Sequence, residues 1–503
     1  MKETRRDFMK AALYAGVGAS VKATSLHAAI GEDASVRRRP NILLLFPDQW
    51  RFDWMSYNPH LPIRTPNLDR LARRGTRFNS AIVAAPVCGP SRACLASGME
   101  YEHARTPNNA VNYPVGLATF YKKLRDSGYH VLGCGKMDLA KGADWWGGDG
   151  KWRVKKWGFT DGINNAGKWD QLGGLNLNDG KPPDPYLSFL ASRGLLNEHV
   201  QDYKARGKSA YGSTFPTPLP DDAYSDNWVT ENGFKLLDAA PDKPWFLQVN
   251  WPGPHDPEDI TVSMEKSVRG RRMPPINGKD KFSPQENQLI RQNYTAMCEN
   301  IDRRVGMFLD RLEATGQVEN TLVLFSSDHG EMLGDHGRWG KSVPYQPSAS
   351  VPMLIAGPGV QQGVQNSALV SSIDLTATIL DYGGVSQGGI DGKTLRPVLE
   401  GKTQSHRRVV YSGLGAWRMA FDGQYKVITG FDPERGVDGI HKAKSVGGGN
   451  GAEMSKYEPE VLARPPMVFD LAKDPTETRD ISHSMPDAAR ALLKDLSAGN
   501  YPA

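Results

Sequence analysis

The chain reads as an α/β protein followed by a smaller C-terminal α+β domain. Three observations predict it. From Pro40 onward, short apolar runs alternate with helix signals. Four of those runs end in polar, chemically capable residues, as strands of an open α/β sheet do at a ligand site. The last hundred residues change to closely spaced strand-like runs and one helix. In order, Ile42–Phe46 is an unbroken apolar run that suits a buried strand. Thr65-Pro66 supplies an N-cap and a first-turn proline for a helix that Gly75 is expected to close. Tyr129–Cys134, Trp245–Asn250 and Leu322–Phe325 are further strands, and Ser283-Pro284-Gln285-Glu286 is a capping box opening a long helix toward Leu312. Val409–Tyr411, Tyr425–Ile428 and Met467–Leu471, with a helix over Asp487–Leu496, make the small domain. Gly383–Gly392 lies near the expected boundary between domains 40–402 and 403–503, and Gly447–Gly451 reads as a loop. No internal repeat is evident.

The 503 residues carry 61 basic and 56 acidic side chains, 39% apolar residues, twelve tryptophans and four cysteines. The tryptophans and the charged fraction exclude a disordered chain, four cysteines exclude a disulfide-stapled scaffold, and no apolar run spans a bilayer. Much of the positive charge sits at the start. Thr4-Arg5-Arg6-Asp7-Phe8-Met9-Lys10 precedes the apolar stretch from Ala11 to Val21 and small residues near Ala28. This is the pattern of a signal peptide over 1–28, similar to a twin-arginine export signal, with a linker over 29–39. Cleavage after Ala28 removes five basic and two acidic residues, so a balance of +5 falls to +2. The expected mature protein is periplasmic or secreted, has no transmembrane anchor, and lacks the basic footprint of a nucleic-acid binder.

The chemistry clusters after the predicted strands: Asp48-Gln49 after the first, Lys136 and Asp138 after the second, His255 after the third, Asp328-His329 after the fourth. Taken singly, each is an ordinary loop residue; together they describe one site assembled from distant sequence. Cys88-Gly89-Pro90-Ser91-Arg92, ahead of a small-residue helical stretch, places Cys88 at a helix N-terminus, where exposed N–H groups favour an anion. The cysteine is there either a low-pKa nucleophile or a small buried hydrophobe.

That C-x-P-x-R element resembles the modification motif of type I sulfatases, of the alkaline phosphatase superfamily, in which the cysteine becomes Cα-formylglycine. Asn41–Gln49 and Ser326–Gly330 resemble the family's two metal-binding strands, and Gly135-Lys136-Met137-Asp138-Leu139 is similar to its Gly-Lys-x-His-Leu segment. Trp251–Pro257, Gly340-Lys341 ahead of Ser350-Val351-Pro352, and Phe469-Asp470-Leu471 with Asp474-Pro475-Thr476-Glu477 complete the family's order. The resemblance implies an alkaline-phosphatase-like fold, a large mixed, mostly parallel sheet sandwiched by helices with a smaller C-terminal α+β domain, and hydrolysis of sulfate esters. Hydrated formylglycine at Cys88 would attack sulfur through one hydroxyl and expel sulfate through the other. Arg92 would hold the modified residue, or else serve only the modifying enzyme.

Asp48, Gln49, Asp328 and His329 would bind one divalent ion, Ca²⁺ by family, with Mn²⁺ the alternative that the imidazole favours. Lys136 and Lys341 would neutralise sulfate, and His255 would be the general acid; all three would contact substrate. Asp138 departs from the family's histidine: it is either a base or a contact for a different substrate feature. Partners implied are a formylglycine-generating maturase, the twin-arginine export machinery and a sulfated carbohydrate. Trp145, Trp146, Trp152 and Trp157 could wall a sugar site or simply fill core and loop. A phosphonate or phosphate mono- or diesterase, and an inactive glycan-binding relative, are the other readings. Cys94, Cys134 and Cys298 allow at most one disulfide.

Overall fold

The apolar run of the first strand, β1 (Asn41–Leu45), is explained by where its two faces go. Ile42 and Leu44 enter one hydrophobic cluster and Leu43 and Leu45 the other, the period-2 alternation of a strand covered on both sides. A computed structural model describes residues 39–499, except 144, 178–179, 208, 280 and 435–463. The export segment, the linker up to residue 38 and Gly447–Gly451 lie outside the described residues.

After β1 come β2 (Gly75–Ile82), β3 (His130–Gly135), β4 (Asp161–Asn164), β5 (Trp245–Asn250), β6 (Thr321–Phe325), β7 (Met353–Ala356) and β8 (Val364–Ser371). They form one sheet in the order β4-β3-β5-β1-β6-β7-β2-β8. Only β7 runs against its neighbours; every other adjacent pair is parallel. The carboxyl ends of β1, β2, β3, β5 and β6 therefore share one edge, as the expected fold requires. The capping box at Ser283 and Glu286 is formed, and its helix runs over Pro284–Ala314. No helix among the described residues is long and apolar enough to cross a membrane.

Helix α1 (Pro66–Arg73) starts at the expected proline, but Gly75 does not cap it. Arg74 is the C-cap and Gly75 opens β2, where a Cβ would stand 2.1 Å from Ile355 O of β7. The glycine serves strand approach rather than helix termination. The thiols of Cys94, Cys134 and Cys298 are buried and unpaired.

The C-terminal sheet is an antiparallel meander of β9 (Val410–Leu414), β10 (Trp417–Phe421), β11 (Tyr425–Thr429) and β12 (Met467–Asp470). Ala489, Leu492 and Leu496, on one face of the helix Asp487–Ser497, pack with Val409, Ala420, Val427 and Val468. A buried ion pair joins the segment leading into β9 to the start of the helix Asp374–Tyr382, which follows β8. Arg407 places Nη2 2.5 Å from Asp374 Oδ1 and Nε 2.8 Å from Oδ2, while Asp374 also accepts from Ser371 N and Lys393 N. Burial opposes ionisation of Asp374, but Arg407 and His406 hold its carboxyl below the usual range. A depressed carboxylate stabilises the fold above its unfolded pKa (about 3.9) and loses that contribution as pH falls below it. Asp374→Asn is expected to cost about 3–5 kcal/mol in denaturant unfolding at neutral pH. The gap from wild type should shrink on acidification below roughly pH 4.

Candidate active site

The carboxyl edge of the large sheet gathers the predicted residues. The loops after β1 and β6 are tied together by Ser327, whose Oγ donates to Pro47 O (2.9 Å) and accepts from Trp50 N (2.9 Å). Those loops carry Asp48-Gln49 and Asp328-His329, all buried. At the end of β3, Gly135 has φ +92°, and a Cβ there would lie 1.9 Å from Asn250 O. Its absence lets Lys136 N donate to that same carbonyl at 2.9 Å, fixing the lysine beside β5. Helix α2 (Cys88–Ser97) begins at Cys88 and is buried throughout. Asn109 Oδ1 accepts from Gly89 N (2.8 Å) in its first turn.

Arg92 joins these segments. Its Nε donates to Asp328 Oδ2 (2.8 Å), Nη2 to Asp48 Oδ2 (3.2 Å), and Nη1 to Lys136 O (2.6 Å) and Asn250 Oδ1 (3.0 Å). Cys88 Sγ lies 3.3 Å from His329 Nε2, 3.4 Å from Lys136 Nζ and 3.9 Å from Asp48 Oδ1. Burial and Asp48 oppose a thiolate, yet Lys136, Lys341 and His329 hold the thiol well below its ordinary value. Burial also opposes the Asp48 charge, but Lys136, His255 and His329 keep it ionised; burial and neighbouring Asp48 push Asp328 up against the pull of Arg92. His329 loses by burial and gains more from Asp328 and the sulfur, so its imidazole is pushed up. The group therefore favours a positive charge at its centre. Ligand atoms of Asp48, Cys88, Asp328 and His329 all lie within 4.8 Å of one another.

A second set surrounds Gln49, whose φ of +68° is strained for a non-glycine residue. Its N–H donates to Asp328 Oδ1 (3.0 Å), its Oε1 accepts from Lys341 Nζ, and its Nε2 donates to Glu331. One lone pair of the expected ligand oxygen is thus already taken by Lys341. Lys341 Nζ also lies 2.6 Å from His255 Nε2. His255 Nδ1 faces Asp256 O (2.6 Å) and Oδ1 (3.1 Å), so Nδ1 donates and Nε2 accepts from the lysine. His255 and Lys341 are half-buried, whereas Cys88, Arg92, Lys136, Asp138, Asp328 and His329 are buried. The site opens on their side.

Asp138 is buried with φ +51°. Its Oδ2 lies 3.3 Å from Lys136 Nζ and 3.2 Å from Lys141 Nζ, and Lys141 continues to Asp170 at 2.6 Å. Its Oδ1 has no hydrogen-bond partner among the described residues.

Every predicted site residue belongs to this one network. The tryptophan wall does not: Trp146 and Trp157 are each 1% exposed and cannot stack on an external sugar, leaving only Trp145 exposed and Trp152 half-buried. Glu331, Tyr211, Asn109 and Asn250 were not predicted. Glu331 stands two residues beyond His329 and could have been noticed there; Tyr211 carries no sequence signal of its role.

Residues 40–385 match the family described as Sulfatase. The chain belongs to the sulfatase family. It is a sulfuric ester hydrolase with the mixed α/β architecture of its structural relatives. This sulfatase is 27% identical over 496 residues to "Arylsulfatase K" of Danio rerio, covering 92% of this chain and 84% of that protein. It is 27% identical over 437 residues to "N-acetylglucosamine-6-O-sulfatase" of Bacteroides thetaiotaomicron, covering 77% and 76%. In three dimensions it is similar to the phosphonate monoester hydrolase of Agrobacterium radiobacter, with a TM-score of 0.72 at 22% identity over 92% of this chain and 94% of that one.

Arg92 spends four hydrogen bonds on partners that a lysine cannot reach together. Arg92→Lys is expected to lower kcat on an aryl sulfate by roughly 100-fold or more, with loss of thermal stability. Steady-state kinetics and calorimetry on the purified variant check both.

Proposed function

We propose that this sulfatase removes sulfate from a sulfated oligosaccharide or polysaccharide, using formylglycine made from Cys88 and one divalent cation. The observation that carries the reading is the placement of Cys88 at the start of α2, its sulfur 3.3 Å from His329 Nε2 and 3.4 Å from Lys136 Nζ. The donor set fits a divalent ion. Two buried carboxylates and the Nε2 lone pair of His329, whose Nδ1 lies 3.0 Å from Gly330 O, face one point. Asp48, Asp328 and His329 would hold it, with the second lone pair of Gln49 Oε1 available. We assign Ca²⁺, with Mn²⁺ the alternative. When bound, it supplies Lewis-acid polarisation of sulfate oxygens. The hydrated aldehyde at position 88 supplies one hydroxyl as nucleophile and a second that lets sulfate leave.

The chain's own residues do the rest. Lys136 and Lys341 place positive charge beside an anionic ester. Lys341 Nζ donates to His255 Nε2 across 2.6 Å at the open side, so an N–H stands where a leaving oxygen would take a proton. Arg92 holds the carboxylates and the β3 backbone in register.

The substrate class rests on what borders that opening. Tyr211 and Trp339 have ring centroids 4.9 Å apart, Phe282 packs edge-on to Trp339 at 5.2 Å, and Trp169 Nε1 donates to Asp256 Oδ2 at 2.7 Å. These half-buried rings sit next to Lys341 and His255, where an alcohol carrying a ring would lie. The relative named for an N-acetylglucosamine sulfate supports a sugar. The Arg5-Arg6 leader supports export to the periplasm or beyond, with the twin-arginine machinery and a maturase as partners. The second reading is phosphonate or phosphate ester hydrolysis, since the phosphonate hydrolase shares this fold.

Peptide mass spectrometry on active protein is expected to find an aldehyde at position 88, and Cys88→Ala should abolish turnover; an intact thiol in the active protein contradicts the nucleophile. Paired aryl sulfate and aryl phosphonate rates should favour sulfate, and the reverse preference sinks the substrate assignment. Trp339→Ala should raise KM for a sulfated monosaccharide about tenfold with kcat little changed, an effect worth ~1.4 kcal/mol of stacking.

A further inference from the structure

Glu331 is fully buried, and among the described residues the groups that hydrogen-bond to it are all neutral. Its Oε1 accepts from Leu333 N (2.9 Å) and Gly340 N (2.7 Å). Its Oε2 accepts from Gln49 Nε2 and from Tyr211 OH (3.1 Å). An amide here would satisfy backbone N–H groups at a smaller desolvation cost than a carboxylate. What an ionised carboxylate adds is that both of its oxygens can only accept.

That property decides which way Gln49 faces. The Gln49 backbone is pinned on both sides, its N–H donating to Asp328 Oδ1 (3.0 Å) and its carbonyl accepting from Tyr294 OH (2.6 Å). The remaining choice is the orientation of the side-chain amide. Glu331 takes Nε2, while Asp256 Oδ1 and Tyr211 OH stand farther from it, at 3.4 Å each. Oε1 is thereby turned to Lys341 Nζ. Reversed, the amide would set its NH2 against the Lys341 ammonium, and neither group has an acceptor to offer. Glu331 also holds Gly340, the residue before Lys341, through its N–H. One carboxylate therefore places the lysine twice, through its side-chain partner and through its backbone. The series then continues from Lys341 Nζ to His255 Nε2 (2.6 Å) and from His255 Nδ1 to Asp256 Oδ1 (3.1 Å). Tyr211 OH, 3.2 Å from Asp256 Oδ1, closes the ring back on Glu331.

We propose that Glu331 is a positioning residue for leaving-group protonation, holding the Gln49 amide and the Gly340 backbone so that Lys341 stays against His255 at the open side. This rests on the reading of that pair as the proton donor. As the S–O bond to the alcohol breaks, its electron pair stays on the alcohol oxygen and the sulfuryl group passes to the nucleophile. A proton from the pair makes the neutral alcohol. A displaced donor matters little where the alcohol leaves readily as an anion, and much where it does not.

The test compares para-nitrophenyl sulfate, whose phenol is acidic, with phenyl sulfate on the purified active full chain. In Glu331→Gln, either orientation of the new amide sets its NH2 against a donor, Gln49 Nε2 or the two backbone N–H groups. With calorimetry showing a folded protein, kcat/KM should fall about tenfold further for phenyl sulfate than for para-nitrophenyl sulfate. Gln49→Glu combined with Glu331→Gln restores the match in reversed polarity, because a carboxylate at position 49 accepts from both neighbours, and should recover most of that ratio. A purely structural loss would lower both substrates alike and would not be rescued. Should Glu331→Gln fail to fold, Glu331→Asp, which keeps the charge but withdraws both oxygens, must show the same split. Lys341→Ala should show a split at least as large. The proposal alone is overturned if Lys341→Ala shows the split while the folded Glu331 variant stays within about threefold of the wild-type ratio. It is equally overturned if the double variant leaves the ratio where Glu331→Gln put it. It falls together with the donor reading if Lys341→Ala leaves the ratio unchanged.

Discussion

Two carboxylates, Asp48 and Asp328, are buried side by side, and the guanidinium of Arg92 lies across both. Uncompensated, such a pair would protonate or unfold the loops that carry it. The pairing of β1 with β6 makes the juxtaposition unavoidable, because the loops leaving adjacent parallel strands end at the same edge. A lysine could cancel charge there, but it could not also reach Lys136 O and Asn250 Oδ1, which draws β3 and β5 into the same lock. Cys88 then follows by helical geometry. It precedes Arg92 by four residues on α2, so the two side chains share a face and the sulfur arrives beside the carboxylates.

The small sheet and the segment that follows it brace the other half of the site. Trp417 Nε1 donates to Ser342 O (3.1 Å), Lys426 Nζ to Pro344 O (3.0 Å), and Gln346 N to Glu477 Oε2 (2.6 Å). Those three contacts hold the stretch immediately after Lys341. Ser342, at φ +76°, in turn donates its N–H to Pro86 O at 2.9 Å, two residues before Cys88. Burial lowers the pKa of Lys426, and Glu477 at 2.6 Å compensates in part. The acidic end of the Asp474–Glu477 signature thus acts mechanically, fixing the distance between Lys341 and residue 88.

The sequence made the large sheet legible where burial on both faces writes near-continuous apolar runs, as in β1 and β6. It hid β10, because Trp417–Phe421 includes Arg418, whose guanidinium pairs with Glu102 across the fold. It misassigned Gly75, since a glycine after a helix and a glycine opening a crowded strand look the same until β7 is placed. Asp48, Gln49, Lys136, Asp138, His255, Asp328 and His329 were legible because each follows a strand, and Cys88 because it opens a helix, whereas Arg92 and Lys341 were legible through the family resemblance. Tyr211, Phe282 and Trp339 were not, because stacking partners far apart in sequence have no common local pattern. The tryptophan-rich stretch drew attention by composition, yet Trp146 and Trp157 obey the ordinary rule that large aromatics fill interiors.

Asp138 shows why composition at a single position misleads. An ionised carboxylate offers only acceptors, so beside a sulfate ester it would repel rather than bind. Its contacts are with Lys136 and Lys141 instead, in an alternating series that ends on Asp170. An ammonium has three N–H groups. Lys136 faces Asp48 Oδ2 at 2.5 Å, Asp138 Oδ2 at 3.3 Å and Cys88 Sγ at 3.4 Å, so two carboxylates fix its direction and the third N–H is left toward residue 88. An acid is tolerated at this position because it aims a cation, and Lys141 supplies the second positive charge that keeps the pair from adding net repulsion to the site.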